Sequence, residues 1–559
     1  MKKVNLFFIA LLFCFSTALV AQENHQNDFE ISKNLDIFVS VYKQLNNSYV
    51  DDVNPGKLMK IAIDAMLESL DPYTVYIPES EMEDYKFMTT GQYGGVGAII
   101  TKRGDYVYIS EPYQNAPADK AGLKAGDKIV EIDGKSARYK TIDEVSTAMK
   151  GQPGTTVKLM IVRDSAQKPF EKEVTREEIK IDNVPYSGFV SEGIGYINLS
   201  EFKQNAAKEV RDAFDNLKKG NNLKGVILDL RGNGGGLLDE AVSIVNIFVD
   251  KGQLVCSTKG KLKDRNNYHK TQGAADDTRI PLVILVDENS ASASEIVTGA
   301  IQDLDRGVII GQRTFGKGLV QNIVPLSYNA QMKITIAKYY IPSGRCVQAL
   351  DYSHKDVEGN AIKAPDSVLK PFKTKSGRIV FEGRGIDPDI AMTLPDFKNI
   401  SLALATKNLF FDFAVTYYRQ HPQILPASQF AITDDVYNEF MSFLQGKDYS
   451  YVTESEAALA DFKKNAETEK YFDAVKEQYD ALKAKILAKK GNDLIDNKAE
   501  IKQILKLYMI PLYYYQRGRI ESSLLDDAEV KKAVEVLNNQ ANYNAILNGS
   551  AEKKKDQPY

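Results

Sequence analysis

The sequence predicts a multidomain α+β chain: a helical N-terminal region, a small β-rich domain, an α/β layered core and a helical C-terminal region. Length gives the first reason, because 559 residues exceed what one core organises and imply about three or four folded units. Texture gives the second. Helical periodicity yields to glycine-punctuated short strands near Gly91, then to alternating apolar strands and helices after about residue 185, and finally to lysine- and tyrosine-rich helical segments beyond Asp389. Composition is ordinary for globular domains, with 43% apolar and 26% charged residues, and a formal charge of −4 leaves no electrostatic footprint for nucleic acid.

Lys2 and Lys3 precede an apolar run from Val4 to Val20, followed by Ala21 and a polar stretch from Gln22. This reads as a signal peptide over residues 1–21, removed to leave a soluble protein exported to the periplasm or cell envelope. A membrane anchor is the competing reading, but the run is at the short edge for spanning a bilayer. Phe13 before Cys14 is too bulky for the usual lipidation box. Beyond the leader only Cys256 and Cys346 remain, and their spacing leaves open whether they pair. The four histidines are scattered without ligand spacing, so no metal is expected.

Residues 22–88 form the helical lead-in. Leu35, Val39, Tyr42, Leu45 and Tyr49 share one helical face, and a second helix is expected from Gly56 to Leu70, before Asp71-Pro72. Residues 89–170 form the β-rich domain, with strands expected at Val96–Thr101, Tyr106–Ile109, Lys128–Ile132 and Thr156–Arg163 and a helix from Ile142 to Met149. The α/β core spans residues 171–395. Strands are expected at Gly195–Leu199, Gly225–Leu230 and Pro281–Asp287, with helices carrying Val210, Ala213, Phe214 and Leu217 and starting again near Ala291. Residues 396–559 are helical, with apolar stripes at Phe472, Val475, Tyr479, Leu482 and Ile486 and at Val530, Ala533, Val534 and Leu537, which suggest packing.

Three stretches could carry chemistry. Asn289-Ser290-Ala291-Ser292-Ala293-Ser294-Glu295 follows an apolar strand and opens a helix, where a nucleophile projects from the sheet end and free N–H groups face a developing oxyanion. By itself it reads equally as a helix start that caps and packs. Thr314-Phe315-Gly316-Lys317-Gly318, with Gln321 beyond it, places a lysine between glycines and beside an apolar wall. A lysine acts as general base only when neutral, which requires burial or nearby positive charge to lower an ordinary pKa of about 10.4. A surface lysine in a glycine turn is the plainer alternative. Asp229-Leu230-Arg231-Gly232-Asn233-Gly234-Gly235-Gly236 lets main-chain N–H groups approach a ligand oxygen, or simply makes a tight turn.

In this order, and with Tyr339-Tyr340-Ile341-Pro342-Ser343-Gly344-Arg345 and Gly385-Ile386-Asp387-Pro388-Asp389, these stretches resemble the C-terminal processing peptidases, or tail-specific proteases, over about residues 35–395. The resemblance implies a crotonase- and Clp-protease-like core, Ser292 as nucleophile, Lys317 as general base, Gln321 orienting the lysine, and backbone N–H groups of Gly235 and Ala293 as oxyanion hole. It requires no cofactor. Gly234 departs from the family, where many members carry proline. No histidine lies near Ser292 in sequence, which gives a Ser-His-Asp triad no local support. Gly94-Gly95-Val96-Gly97-Ala98 resembles the carboxylate loop of PDZ domains, as do Ala121-Gly122-Leu123, Gly126-Asp127-Lys128-Ile129 and Asp133-Gly134. That implies peptide binding at Gly95, Val96, Gly97 and Ala98, and Arg163 resembles a residue coupling such a domain to the protease core. The expected partners are protein or peptide substrates with apolar C-termini, with an adaptor and a homodimer as further options the family offers. A catalytically silent PDZ scaffold and a crotonase-like acyl-thioester enzyme are the competing readings; retention of Ser292, Lys317 and the glycine loop opposes the first, and a PDZ module has no role in the second.

Overall fold

The computed structural model describes residues 28–163, 168–220, 222–363, 365–393 and 396–550; the leader expected at 1–21 lies outside them. The chain divides into two compact units, residues up to Glu79 with Asn322–Ile334, and the remainder. In the first, a helix at 28–48 is followed by the helix Pro55–Glu68, whose N-cap Asn54 accepts from Lys57 N at 2.9 Å. Asp71 then makes a turn by accepting from the N–H groups of Tyr73 and Thr74. It leads into a short strand, Val75–Ile77, paired with Gln331 to Lys333. Periodicity did not reveal that strand, which is too short to carry an alternation. The predicted face of the first helix is solvent-exposed at Leu35, Val39, Leu45 and Tyr49.

The β-rich domain is an antiparallel sheet in the order Ala98–Arg103, Tyr106–Pro112, Lys128–Ile132, Thr156–Val162, Phe170–Thr175. Val107, Ile109, Ile129, Val157, Leu159 and Ile161 point into one core and meet Val145 from the helix Ile142–Met149. That helix begins on a capping box of Thr141 and Glu144, which fixes its start where the sequence placed it. The first strand starts at Ala98 instead of Val96 because Gly97 sits at φ 72°, outside the extended region. Ala98–Arg103 is an edge of the sheet. Strands Gln92–Gly95 and Glu177–Lys180 pair antiparallel and close the neck of the domain.

The α/β core is a six-stranded sheet in the order Tyr186–Ser191, Ile194–Asn198, Gly225–Asp229, Leu282–Val286, Val308–Gly311, Ile390–Ala391, antiparallel at its first pair and parallel elsewhere. Its central strands are apolar throughout because both faces are covered. Helices Ala206–Gly220, Leu238–Phe248 and Ala293–Asp303 cover one face, burying Phe214, Phe248, Ile284 and Ile296. The other face is covered from the far end of the chain. Val530, Ala533, Val536, Leu537 and Tyr543, on helices Ala528–Asn538 and Gln540–Leu547, pack on Tyr196, Ile227, Val283, Leu285 and Ile310.

The rest of the helical region has its own aromatic core around Phe410, Phe413, Phe440 and Leu505. Of the two apolar stripes, the later one packs as expected. The earlier one packs in part: helix Phe472–Lys490 pairs with Glu454–Thr468, Tyr479 is buried, Phe472, Val475 and Ile486 are half-buried, and Leu482 is exposed. Cys256 and Cys346 are both free. They flank the same strand from opposite sides, since Ser257 and Cys346 each pair with Tyr340, and that leaves a strand between the thiols.

Candidate active site

The stretch 289–295 differentiates its three serines. Ser290 and Ser294 are fully buried, their hydroxyls donating to the carbonyls of Leu230 and Asn233 at 2.8 Å each. Ser292 alone is partly exposed. It stands immediately before helix Ala293–Asp303 with φ 56° and ψ −112°, a conformation that L-residues with side chains rarely hold. A strained, accessible hydroxyl between two buried serines marks the position best suited to a nucleophile.

Glu295 makes that strain sustainable. It is fully buried, and its carboxylate accepts four hydrogen bonds: at Oε2 from Ser292 N (2.9 Å) and Lys317 N (2.8 Å), and at Oε1 from Thr314 Oγ1 (2.6 Å) and Gly316 N (2.7 Å). Burial pushes its carboxyl upward from the ordinary range, and these donors, aimed at both oxygens, pull it back. Tyr339 repeats the link on the carbonyl side. Its hydroxyl reaches the carbonyls of Lys317 at 2.8 Å and Ser292 at 3.2 Å, and burial raises its pKa so far that it remains a donor. The serine turn and the lysine loop are therefore joined by two buried side chains, and the structure brings Ser292 and Lys317 together as neighbours in one site.

The glycine loop forms the third wall. Gly235 has φ 96°, and a Cβ placed there would stand 2.6 Å from Ala291 O and 2.8 Å from both Ala293 N and Ser292 Cβ, so only glycine fits. Gly234 faces open space, which is compatible with the family's proline. Asn233, fully buried, ties this loop down: its carbonyl accepts from Ala291 N at 3.0 Å, and its amide donates to Leu199 O at 2.7 Å. Its Oδ1 accepts from Gly235 N at 2.9 Å, so that N–H is directed at Asn233 and an oxyanion would have to replace or share this acceptor. Ala293 N belongs to the first helical turn and has no carbonyl four residues back in the helix.

Lys317 is half-buried, and Phe315 is 49% exposed, so the apolar wall expected from Phe315 is open to solvent. Gln321 donates from Nε2 to Thr335 Oγ1 at 3.2 Å. In the β-rich domain Gly95 closes the neck strand, Val96 is buried with its carbonyl accepting from Ala118 N, Gly97 accepts from Tyr113 N, and Ala98 opens the free edge strand. Ile99 is exposed on that strand, and Ile142 is exposed at the start of helix Ile142–Met149. Arg163 forks onto Asp127 at 2.7 and 2.9 Å and reaches Gly122 O inside the same domain, while its carbonyl accepts from Arg419 of the helical region at 2.6 Å.

Glu295, Tyr339 and Asn233 escaped assignment from the sequence although all three lie within the motifs. Glu295 had a readable signal, the Ser-x-x-Glu spacing of a capping box at Ser292. Asn233 and Tyr339 carried none, because their roles depend on partners 22 to 61 residues away.

The comparisons with known proteins match four kinds of domain along the chain. A model of peptidase family S41 matches residues 193–358, and a PDZ domain model matches residues 108–163. The C-terminal helical domain of a probable PDZ-protease matches residues 400–537, and the N-terminal domain of the activating protease CtpB matches residues 14–81. The carboxy-terminal-processing protease of Bartonella bacilliformis is 36% identical over 353 residues, covering 62% of this chain and 80% of that one. A probable CtpA-like serine protease of Staphylococcus haemolyticus is 33% identical over 369 residues, 66% of each chain. Among solved structures, the photosystem II D1 C-terminal processing protease aligns at 28% identity with a TM-score of 0.33, over 59% of this chain and 91% of that one.

Proposed function

The chain belongs to the S41 serine peptidases of the carboxy-terminal-processing type, and from that premise we propose that it cleaves proteins whose C-terminal tail its PDZ domain holds, with Ser292 as nucleophile and Lys317 as base. The observation that carries this reading is the Glu295 carboxylate, which accepts from the N–H groups of both Ser292 and Lys317. Ser292 Oγ attacks the scissile carbonyl carbon as its proton passes to the neutral amine of Lys317, and the carbonyl oxygen becomes an oxyanion held by the N–H groups of Ala293 and Gly235. Collapse breaks the C–N bond, and the lysine returns the proton to the leaving amine. Water, giving its proton to Lys317, then attacks the acyl carbon, and the lysine passes that proton to Ser292 Oγ as the ester C–O bond breaks, which releases the acid and restores the neutral amine. Gln321 orients the lysine. Gly235 turns its N–H from Asn233 Oδ1 toward the oxyanion as charge develops.

The tail is read by main chain. A peptide adds beside the edge strand Ala98–Arg103 with its carboxylate at Gly95, Val96, Gly97 and Ala98, and the exposed Ile99 and Ile142 favour apolar residues near its end. We further propose that residues 1–21 are removed on export, so the mature chain begins at Gln22, which mass spectrometry of the secreted protein checks. The decisive experiment uses an unstructured protein ending in small apolar residues, with free or amidated C-terminus. Ser292→Ala and Lys317→Ala should abolish cleavage and amidation should weaken it; cleavage surviving Ser292→Ala refutes the mechanism.

A further inference from the structure

The glycine loop is held from two sides, and one of them is the far end of the chain. Between Arg231 and Leu237, glycines occupy positions 232, 234, 235 and 236, and three of these have positive φ. Only Arg231 and Asn233 can therefore anchor the loop through side chains. Asn233 is fastened from within the core. Arg231 is fastened from two directions: its Nη2 donates to Asp229 Oδ2 at 2.5 Å, and toward the C-terminal helix Ala528–Asn538 its Nη1 donates to Glu529 Oε2 at 2.6 Å and its Nη2 pairs with Asp527 at 2.8 Å. Its Nε and backbone N return to Asp229 Oδ1 at 3.0 and 2.9 Å, and Tyr196 donates its hydroxyl to Asp229 Oδ2 at 2.6 Å. Asp527 is at the same time the N-cap of that helix, accepting from the N–H groups of Glu529 and Val530.

Glu529 is fully buried, and its Oε1 has no hydrogen-bond partner among the described residues. A carboxylate is costly to bury, and this one directs its only satisfied oxygen at Arg231. Burying it beside Arg231 makes physical sense if the guanidinium must be held in place. We propose that Glu529, acting through Arg231, is a positioning residue for the oxyanion loop, so that the C-terminal helix is part of the catalytic apparatus. This rests on the reading of Ser292, Ala293 and Gly235 given above. A donor displaced by a fraction of an ångström loses much of its hold on a transition-state oxygen, while substrate binding, which depends on other surfaces, is little affected.

The test compares full-length Glu529→Ala, Glu529→Gln and Arg231→Lys, each active-site-titrated with a fluorophosphonate, with Ser292→Ala, which has no hydroxyl to label and is quantified by absorbance, all assayed on the same unstructured substrate. Glu529→Ala should lower kcat per titrated site by about tenfold to a hundredfold while KM and tail-peptide affinity stay within about twofold. Glu529→Gln, which keeps an oxygen facing Nη1, should recover to within about threefold of wild type. Arg231→Lys, which loses the fork, should behave like Glu529→Ala and carries the test if that variant fails to fold. A kcat per titrated site within about twofold of wild type in Glu529→Ala and Arg231→Lys, or a Gln variant as slow as the Ala one, overturns the proposal. Cleavage by Ser292→Ala overturns the site reading and this proposal with it, whereas a dead Ser292→Ala beside a full-speed Glu529→Ala overturns this proposal alone.

Discussion

Replacing Glu295 by Gln tests the idea that one buried carboxylate holds the serine turn and the lysine loop together. Glutamine offers one oxygen where the carboxylate offered two, so its best orientation can be worked out from the four donors. If the amide oxygen takes the Oε2 position, Ser292 N and Lys317 N keep their acceptor. The NH2 group then meets Thr314 Oγ1, which can accept although it already receives Ile386 N at 2.7 Å, and Gly316 N, which cannot. The opposite orientation orphans two backbone donors and is worse. One buried N–H without a partner costs about 1–3 kcal/mol, and the retained bonds lose their charge assistance, so the site should lose about 2–4 kcal/mol. The assay is fluorophosphonate labelling of Ser292 as a function of urea, which follows this site without assuming that the whole multidomain chain unfolds in one step. The labelling midpoint should fall, and kcat in buffer should drop by about tenfold or more as the two loops lose their common anchor. A midpoint within about 0.5 kcal/mol of wild type together with unchanged kcat would refute the reasoning, since four bonds to one carboxylate could not then be holding the site.

Tyr339→Phe removes the second bridge. Ser292 O keeps its bond from Ile296 N at 2.9 Å, so the loss falls on Lys317 O, and about 1–2 kcal/mol, or a fall in kcat of about fivefold to thirtyfold, is expected from steady-state kinetics. The Glu529 cluster makes stability depend on pH. Burial raises the Glu529 carboxyl above its ordinary value; Arg231 opposes this, and Asp527 and Asp229, which share that guanidinium, reinforce it. The native state thus binds this proton more tightly than the unfolded chain, and stability declines as pH rises from about 4.5 through the native value. Glu529→Gln has no such titration, so the difference in urea midpoint should shift in favour of the variant across that window.

Much of the fold was legible because each element announced itself locally. The helix Ile142–Met149 is set by a capping box written in its own residues, and the apolar strands Gly225–Asp229 and Leu282–Val286 read as buried on both faces. The places where the reading failed are those where tertiary context decides. Phe472 to Ile486 has a proper apolar stripe, yet its helix packs on Glu454–Thr468, so that only Tyr479 is buried, Phe472, Val475 and Ile486 are half-buried and Leu482 is exposed. The strand Val75–Ile77 exists because Gln331 to Lys333 lie alongside it, which three residues cannot signal. In the candidate site the motif residues were readable, whereas the geometry that makes Ser292 different from Ser290 and Ser294 was not. All three have the same side chain and alanine neighbours; burial and a positive φ separate them.

The division into an α/β core and a C-terminal helical region, natural in sequence, cuts across the packing. Helices Ala528–Asn538 and Gln540–Leu547 form one face of the protease sheet, and burying a side chain such as Leu537 contributes about 1.5–3 kcal/mol. The helix before them, Pro511–Leu524, reaches the other way: it is broken at Tyr515, with φ 54° and ψ −165°, where the hydroxyl donates to Asp119 of the PDZ domain at 3.0 Å. Such a backbone conformation persists in a tyrosine only when its surroundings fix it. Arg519, one turn on, pairs with Glu111 of the same domain. Twelve residues past Tyr515, Asp527 begins the helix that grips Arg231. A chain ending at residue 395 would therefore lose more than an appendage. Ile227, Val283 and Leu285 would face water, the PDZ domain would lose Asp119's and Glu111's partners, and Arg231 would keep only Asp229. The helical region is thus required by the two domains that sequence motifs make conspicuous, although nothing in its own residues carries a catalytic signature.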